Sequence, residues 1–357
     1  MFSLLKSHTY PGASILHRVA KLCPIGVDLG DDALTIAQLA CDGNNVTFIA
    51  GASEDRPQDV ISGSIYWQRW AIDTIHELTA NSKFRGKDVI ASIPSSELFI
   101  DNIKMPKTET KSDVQDTKRN IKDAIIPKIK QKLPFDPNGA MIKYIPADED
   151  NVLVIAARRE IIDRHLAIYE NAGLTIRSIG VWPFALTNTY NKFFSRRKED
   201  IEAYACLIDI EASYTNVVMC RHENLLFARS IPIGAKQINK NEIVTRFLLE
   251  LTVCKRSFLS MYRKAKIERL VFLSGQAVDI EICAKIAKQL EVPAQMGDCL
   301  AAVKIAKSFN PEINKKQDEE LLDEPSVSEN QKTEIQKQID RRNCQIRWAT
   351  AFGLSLS

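Results

Sequence analysis

The sequence predicts a two-lobed α/β protein. Three observations carry this expectation. The chain has 357 residues, more than one compact core usually holds. Short apolar strands alternate with stretches of helical periodicity along most of it. A pattern of strand, turn, strand, turn, strand also occurs twice, about half a chain apart. It runs through "PIGVDLGDDALTIAQLACDGNNVTFIAGAS" and again through "AYACLIDIEASYTNVVMCRHENLLFARSIPIG", with Asp28 and Asp209 at the respective first turns. Such a duplication predicts two related lobes facing each other.

Taken in order, the first meander spans Ile25 to Ala52, with turns at Gly30 and at "DGNN". A helix follows, with Trp70, Ile75 and Leu78 on one face. "DVIASIP" is a buried strand ended by proline, and "LFIDNIKMP" is a second strand. Ile121, Ile125, Ile129 and Leu133 then form an apolar stripe, which Pro127 should kink or split. Lys118, Arg119, Lys122, Lys128, Lys130 and Lys132 crowd the rest of that surface, as a solvated face or as a contact for anionic lipid or an acidic partner. "NVLVIAA" is a buried strand. The helix after it turns Ile161, Ile162, Leu166 and Tyr169 inward and stops at Gly173. The second meander leads into a long helix with Phe247, Leu251, Cys254, Phe258 and Met261 at three-to-four spacing. "RLVFLSGQAVD" reads as a strand with a glycine turn at Gly275, and "IEICAKIAKQL" as a helix. Residues 309–342 are polar, charged and poor in aromatics, the composition of a flexible insertion. "IRWATAFGLSLS" closes the chain as a small-residue helix packed back on the fold.

Composition limits the function classes. Lys+Arg of 48 against Asp+Glu of 45 leaves a net charge of +3, which exerts no overall pull toward nucleic acid or membrane. No apolar run approaches the ~18 residues of a spanning helix, and residues 1–23 form a basic extension without the features of a signal peptide. The eight cysteines are scattered without C-x-x-C spacing, so a reducing compartment is expected, with neither disulfides nor a zinc site. Five dispersed histidines and no recognisable nucleophile context give no support to triad chemistry.

Two meanders with turn aspartates, a later strand and Ser-Gly turn, and the terminal small-residue helix resemble the fold of the actin-like ATPases. "DVIASIPSSELFIDNIKMP", "KLPFD", "VLVIAARREIIDRHLAIYENAGL", "FARSIPIGAKQI" and "ATAFGLSL" resemble, in their order and spacing, the PilM family of type IV pilus assembly proteins. The resemblance implies a first core subdomain over 24–87 and 175–200, an inserted PilM/FtsA-type subdomain over 88–174, and a second lobe over 201–308. Residues 309–342 are then the insertion and 343–357 the C-terminal helix. It implies a site for ATP and magnesium between the lobes. Asp28 and Gly30 belong to the first phosphate hairpin, Asp209 and Thr215 to the second, Lys255 and Arg256 to the helix flanking base and ribose, and Gly275 to the adenosine-side turn. Asp28 and Asp209 would hold the magnesium. The partner implied is the short cytoplasmic N-terminal peptide of an inner-membrane PilN-like protein, bound between the first core subdomain and the inserted one. Its walls would lie around Asp88 to Met105 and Val152 to Arg158, placing the protein in the cytoplasm at the inner membrane of a pilus or type II secretion-like machine.

Several positions depart from that pattern. Asp31 and Asp32 follow Gly30 where small hydroxyl residues are usual, Thr35 stands in place of a lysine, Glu211 in place of a glycine, and Trp182 in place of an acid before Pro183. A carboxylate about 4 Å from a phosphate charge costs on the order of 4 kcal/mol at an effective dielectric near 20. Two or three such groups offset most of a micromolar affinity of about 8 kcal/mol. The expectation is therefore a scaffold with a degenerate nucleotide site, weak ATP binding and negligible hydrolysis. The alternatives are an active assembly ATPase, or a sugar or acetate kinase of the same superfamily, for which no second-substrate motif is apparent.

Overall fold

The computed structural model describes residues 20–81, 83–104, 125–148, 150–238, 241–274, 278–306 and 346–357. Its two largest sheets are built to one plan. In the first, β1 (Lys21–Leu29), β2 (Ala33–Asp42) and β3 (Asn45–Asp55) form an antiparallel meander. β4 (Asp88–Ile93) then adds parallel to β1, and β8 (Thr175–Val181) parallel to β4. In the second, β9 (Tyr204–Ile210), β10 (Thr215–Arg221) and β11 (Asn224–Ile231) form the meander. β12 (Ile267–Phe272) and β13 (Ala294–Met296) extend it on the β9 side, again parallel. The order third, second, first, fourth, fifth is the same in both sheets, and β14 (Lys304–Ile305) adds to the free edge of β3. The duplication seen in the sequence is thus a duplication of topology. The central strands read as continuous apolar runs because helices cover both faces of each sheet.

A third, smaller sheet holds β5 (Phe99–Lys104), β6 (Ala140–Pro146) and β7 (Asn151–Arg158), with β7 in the centre. β6 and β8 are not apparent from the residue pattern. β6 alternates half-buried with exposed positions and β8 is a thinly covered edge, so neither carries the apolar run that marks the central strands. The helix Ile65–Asn81 buries Trp67, Ala71 and Ile75, and the expected Trp70 and Leu78 lie on the flank of that stripe. The helix Arg159–Asn171 buries Ile161 and Tyr169 as expected, but His165 and Ile168 take the inner positions assigned to Ile162 and Leu166. Gly173 ends that segment with φ +78°, a conformation glycine adopts without a Cβ clash. The helix Asn241–Met261 buries all five residues of its expected stripe. Residues 125–130 are helical, and the kink expected at Pro127 falls where the described residues begin. The insertion 309–342 and the extension up to residue 19 lie outside the described residues.

The terminal helix Ala349–Ser355 joins the first sheet to the helix Trp182–Phe193. A Cβ on Gly353 would lie 1.8 Å from the Ala185 carbonyl oxygen, and one on Gly26 would lie 2.0 Å from that of Ala351. Backbone therefore meets backbone at both contacts. Trp348 and Phe352 both pack edge-on against Phe48, with ring centroids 5.2 and 4.9 Å from it. All three rings are buried, each worth about 1.5–3 kcal/mol of transfer free energy.

Candidate functional site

The two meanders present their first turns to one another. β1 ends in a turn closed by the Gly30 N–H on the Ala33 carbonyl at 3.0 Å. β9 ends in one closed by the Glu211 N–H on the Tyr214 carbonyl at 2.7 Å. Asp28 pairs across its hairpin with Thr35, and Asp209 across its own with Asn216. The two aspartates thus occupy matching places and share one cleft, where each lies in the field of Arg347.

The cleft is crowded with carboxylates. Asp28 accepts a hydrogen bond from the Ser92 hydroxyl at 2.6 Å. Burial pushes its carboxyl up to about 6, the neighbouring charges of Asp209 and Asp31 add to this, and Ser92 and Arg347 oppose it. Asp209 is raised by burial against the opposing field of Arg347, and its Oδ1 is buried without a hydrogen-bond partner. Glu211 is raised well above the usual carboxylate range, first by burial and then by Asp209, Asp28 and Asp31, with Arg347 again opposing. The Asn216 amide donates to Glu211 at 2.7 Å, and the Ser95 hydroxyl donates to Asn216 at 3.0 Å. Arg347 itself is raised. Burial alone would lower it, and Glu211, Asp209, Asp28 and Asp32 outweigh that cost.

The acids after Gly30 have definite partners. Asp31 accepts both the backbone N–H of Ser96 at 3.2 Å and the Ser96 hydroxyl. Asp32 reaches across the cleft. Its Oδ1 accepts the Ser213 hydroxyl at 3.0 Å and the Lys236 ammonium at 2.8 Å, with Arg56 at 4.0 Å. Burial would raise Asp32, but the Lys236 and Ser213 bonds lower it overall. Lys236 is delivered by a close backbone approach. A Cβ on Gly234 would lie 2.5 Å from the carbonyl oxygens of Glu211 and Ala212, and the N–H groups of Ala235 and Lys236 donate to those same two carbonyls. A phosphate seated between the turns would compete with Asp32 for Ser213 and Lys236, and would face Asp31 and Glu211.

The remaining expected site residues have other surroundings. The Thr215 hydroxyl is spent within its own lobe, on the Ile233 carbonyl at 2.7 Å. Lys255 donates to the Leu290 carbonyl at the end of the helix Ile280–Leu290, and Arg256 is exposed. Among the described residues neither bonds to the acid cluster. Gly275 lies outside the described residues, as does part of the basic face, Lys118, Arg119 and Lys122. Of the expected magnesium ligands, Asp28 is held by Ser92 and Asp209 keeps a free oxygen. Among the described residues no three acidic, histidine or cysteine side chains stand in metal-holding geometry. Sequence reasoning missed Arg347 and Lys236. Arg347 sits two residues before a terminal helix, far in sequence from either hairpin, and its position carries no motif. Lys236 could have been noticed beside Gly234.

A second feature lies at the junction of the first sheet with the small one. An apolar groove of about 350 Å³ runs between β8 and β6, lined among others by Ile93, Leu98, Met141, Ile155, Ile179 and Phe184. Both flanking strands are sheet edges, so unpaired backbone groups border an apolar floor.

A family model described as type IV pilus assembly protein PilM matches residues 26–257. Among solved structures, a PilM–PilN type IV pilus biogenesis complex resembles this chain at 20% identity and TM-score 0.64, covering 95% of this chain and 98% of that one. A Bacteroides thetaiotaomicron protein of actin-like ATPase fold and unknown function is 9% identical over 79% of this chain and 95% of its own, with TM-score 0.47. The cytoplasmic domain of EpsL, an inner membrane component of the Vibrio cholerae type II secretion system, is 11% identical over 88% and 94%, with TM-score 0.42. The fold is the two-lobed actin-like ATPase fold with an inserted subdomain.

Proposed function

This chain belongs to the type IV pilus assembly protein PilM family, and we propose that it is a cytoplasmic scaffold of the assembly machine, binding the N-terminal cytoplasmic peptide of an inner-membrane PilN-like protein. The observation that carries this reading is the apolar groove beside β6 and β8. An extended peptide can add its backbone to a sheet edge and drop alternate side chains onto an apolar floor. The groove lies where the family resemblance sets the partner site, with Leu98, Ile155 and Ala157 on the expected walls. The nucleotide cleft we read as degenerate, with weak ATP and magnesium binding and negligible turnover. This is supported by the carboxylates that crowd it and by the engagement of Ser213 and Lys236 with Asp32.

Fluorescence anisotropy with a labelled N-terminal peptide of the PilN-like partner tests the scaffold. Met141 and Phe184 are 40% and 38% exposed, so Met141→Glu and Phe184→Ser should leave the fold intact. Each should weaken peptide binding about tenfold or more, a loss of about 1.4 kcal/mol. Unchanged affinity in both variants would remove the groove from the proposal.

A further inference from the structure

We propose that the Asp32 carboxylate is a built-in anion that latches the two lobes together, taking in this chain the place a bound phosphate would hold between the hairpin turns. The proposal rests on the degenerate-cleft reading and deepens it, because the cleft is then closed by the chain itself rather than simply short of affinity. Asp32 lies in the first hairpin turn and both its strongest partners lie in the second lobe. Ser213 is in the second hairpin turn and Lys236 in the loop packed on that turn, at 3.0 and 2.8 Å. A hydroxyl and an ammonium converging on one oxygen form a donor set suited to an anion, and the anion present is a side chain only 7% exposed.

The surroundings support the latch at the Oδ1 atom of Asp32, while Oδ2 is buried without a hydrogen-bond partner. Asp31, next in the chain, is occupied with Ser96 and does not compete. Arg56, just after β3, approaches Asp32 at 4.0 Å from the first lobe and adds positive charge at the same carboxylate. The Ala235 and Lys236 N–H bonds to Glu211 and Ala212 fix the loop that carries the ammonium. Ser95 to Asn216 makes a second polar link between the lobes beside the first. Arg347 sets a cation amid Asp28, Asp209, Glu211 and Asp32, so closing the cleft does not leave its acids without a counter-charge. Here the closing anion is covalently part of the first lobe, and closure is constitutive.

Amide hydrogen exchange on the full chain, with inorganic pyrophosphate as the probe, tests the latch. The unmodified protein should protect both hairpin turns and show no pyrophosphate binding by calorimetry. Asp32→Ser should speed exchange over residues 30–33 and 211–215 about tenfold and should gain pyrophosphate binding through the freed Ser213 and Lys236, restoring protection. Lys236 is 64% exposed at its side chain, so Lys236→Ala keeps the fold. It should loosen the same turns without gaining pyrophosphate binding. Unchanged exchange in both variants would overturn the latch and leave the degenerate-cleft reading standing. Micromolar pyrophosphate or ATP binding by the unmodified protein would overturn the reading beneath it.

Discussion

Asp28 sets a pH dependence that the hairpin motif alone does not imply. Its carboxyl is held up to about 6 by burial and by Asp209, so the folded protein binds that proton more tightly than the unfolded chain. The stabilisation is complete below the ordinary carboxylate range and is lost as pH rises through about 6. Asp209 and Glu211 are displaced in the same direction. Asp32 and Glu97 are displaced downward, and their contribution fades only as pH falls below the usual carboxylate values. Between about pH 5 and 7 the melting temperature should therefore drop as pH rises, and Asp28→Asn should flatten that slope. Calorimetric melts across this range decide it, and identical slopes in the two proteins would count against the assignment. At the far end of β1, Cys23 and Cys41 lie with sulfurs 3.6 Å apart. The Cys23 hydrogen bond, helped by Lys192 and Lys21, holds Cys41 down to about 6, while burial pushes Cys206, Cys220 and Cys299 up. Brief iodoacetamide treatment near neutral pH should alkylate Cys41 first, as mass spectrometry of the peptides would record. Earlier labelling of the core cysteines would contradict it.

The terminal helix Ala349–Ser355 is the element on which the first lobe closes. Seven residues make a helix too short to be stable by itself, so packing must hold it. The Ser355 hydroxyl donates to the Pro24 carbonyl and accepts the Leu39 N–H, and the Thr189 hydroxyl donates to the Ala349 carbonyl. Small residues are required where backbones touch. Gly353→Ala drives a Cβ into the Ala185 carbonyl and should destabilise by about 1–3 kcal/mol or more. Gly139→Ala, where a Cβ meets nothing within 4 Å, should be close to neutral. Denaturant unfolding of the pair checks this, and equal midpoints would mean that the helix shifts to accommodate the methyl.

At the scale of the whole molecule, no helix among the described residues is long and apolar enough to cross a membrane. The attachment to the inner membrane proposed above runs through the partner peptide. Deleting the PilN-like partner should move the protein from the membrane fraction to the soluble one, as immunoblotting of fractionated cells would show. Persistent membrane association would instead favour direct lipid binding, for which Lys128, Lys130 and Lys132 are the described part of a basic face. Of these, Lys132 is already paired with Asp101 at 2.8 Å.

The sequence by itself determined the duplication, the apolar central strands, the buried stripe of the long helix and the family. Each of these depends on short-range periodicity or on motifs that stay contiguous in the chain, such as the two turn aspartates and "FARSIPIGAKQI". It also marked Asp31, Asp32 and Glu211 as carboxylates out of place. What they do was decided only by tertiary structure, because a charge acts through distance and dielectric rather than through sequence separation. Asp32 meets Ser213 and Lys236 across the cleft, some two hundred residues on, and Arg347 enters from the end of the chain. The groove followed the same rule. Its lining is assembled from β4, β6, β7, β8, Leu98 and the helices Arg159–Asn171 and Trp182–Phe193, and no one of these segments carries the pattern of a binding site.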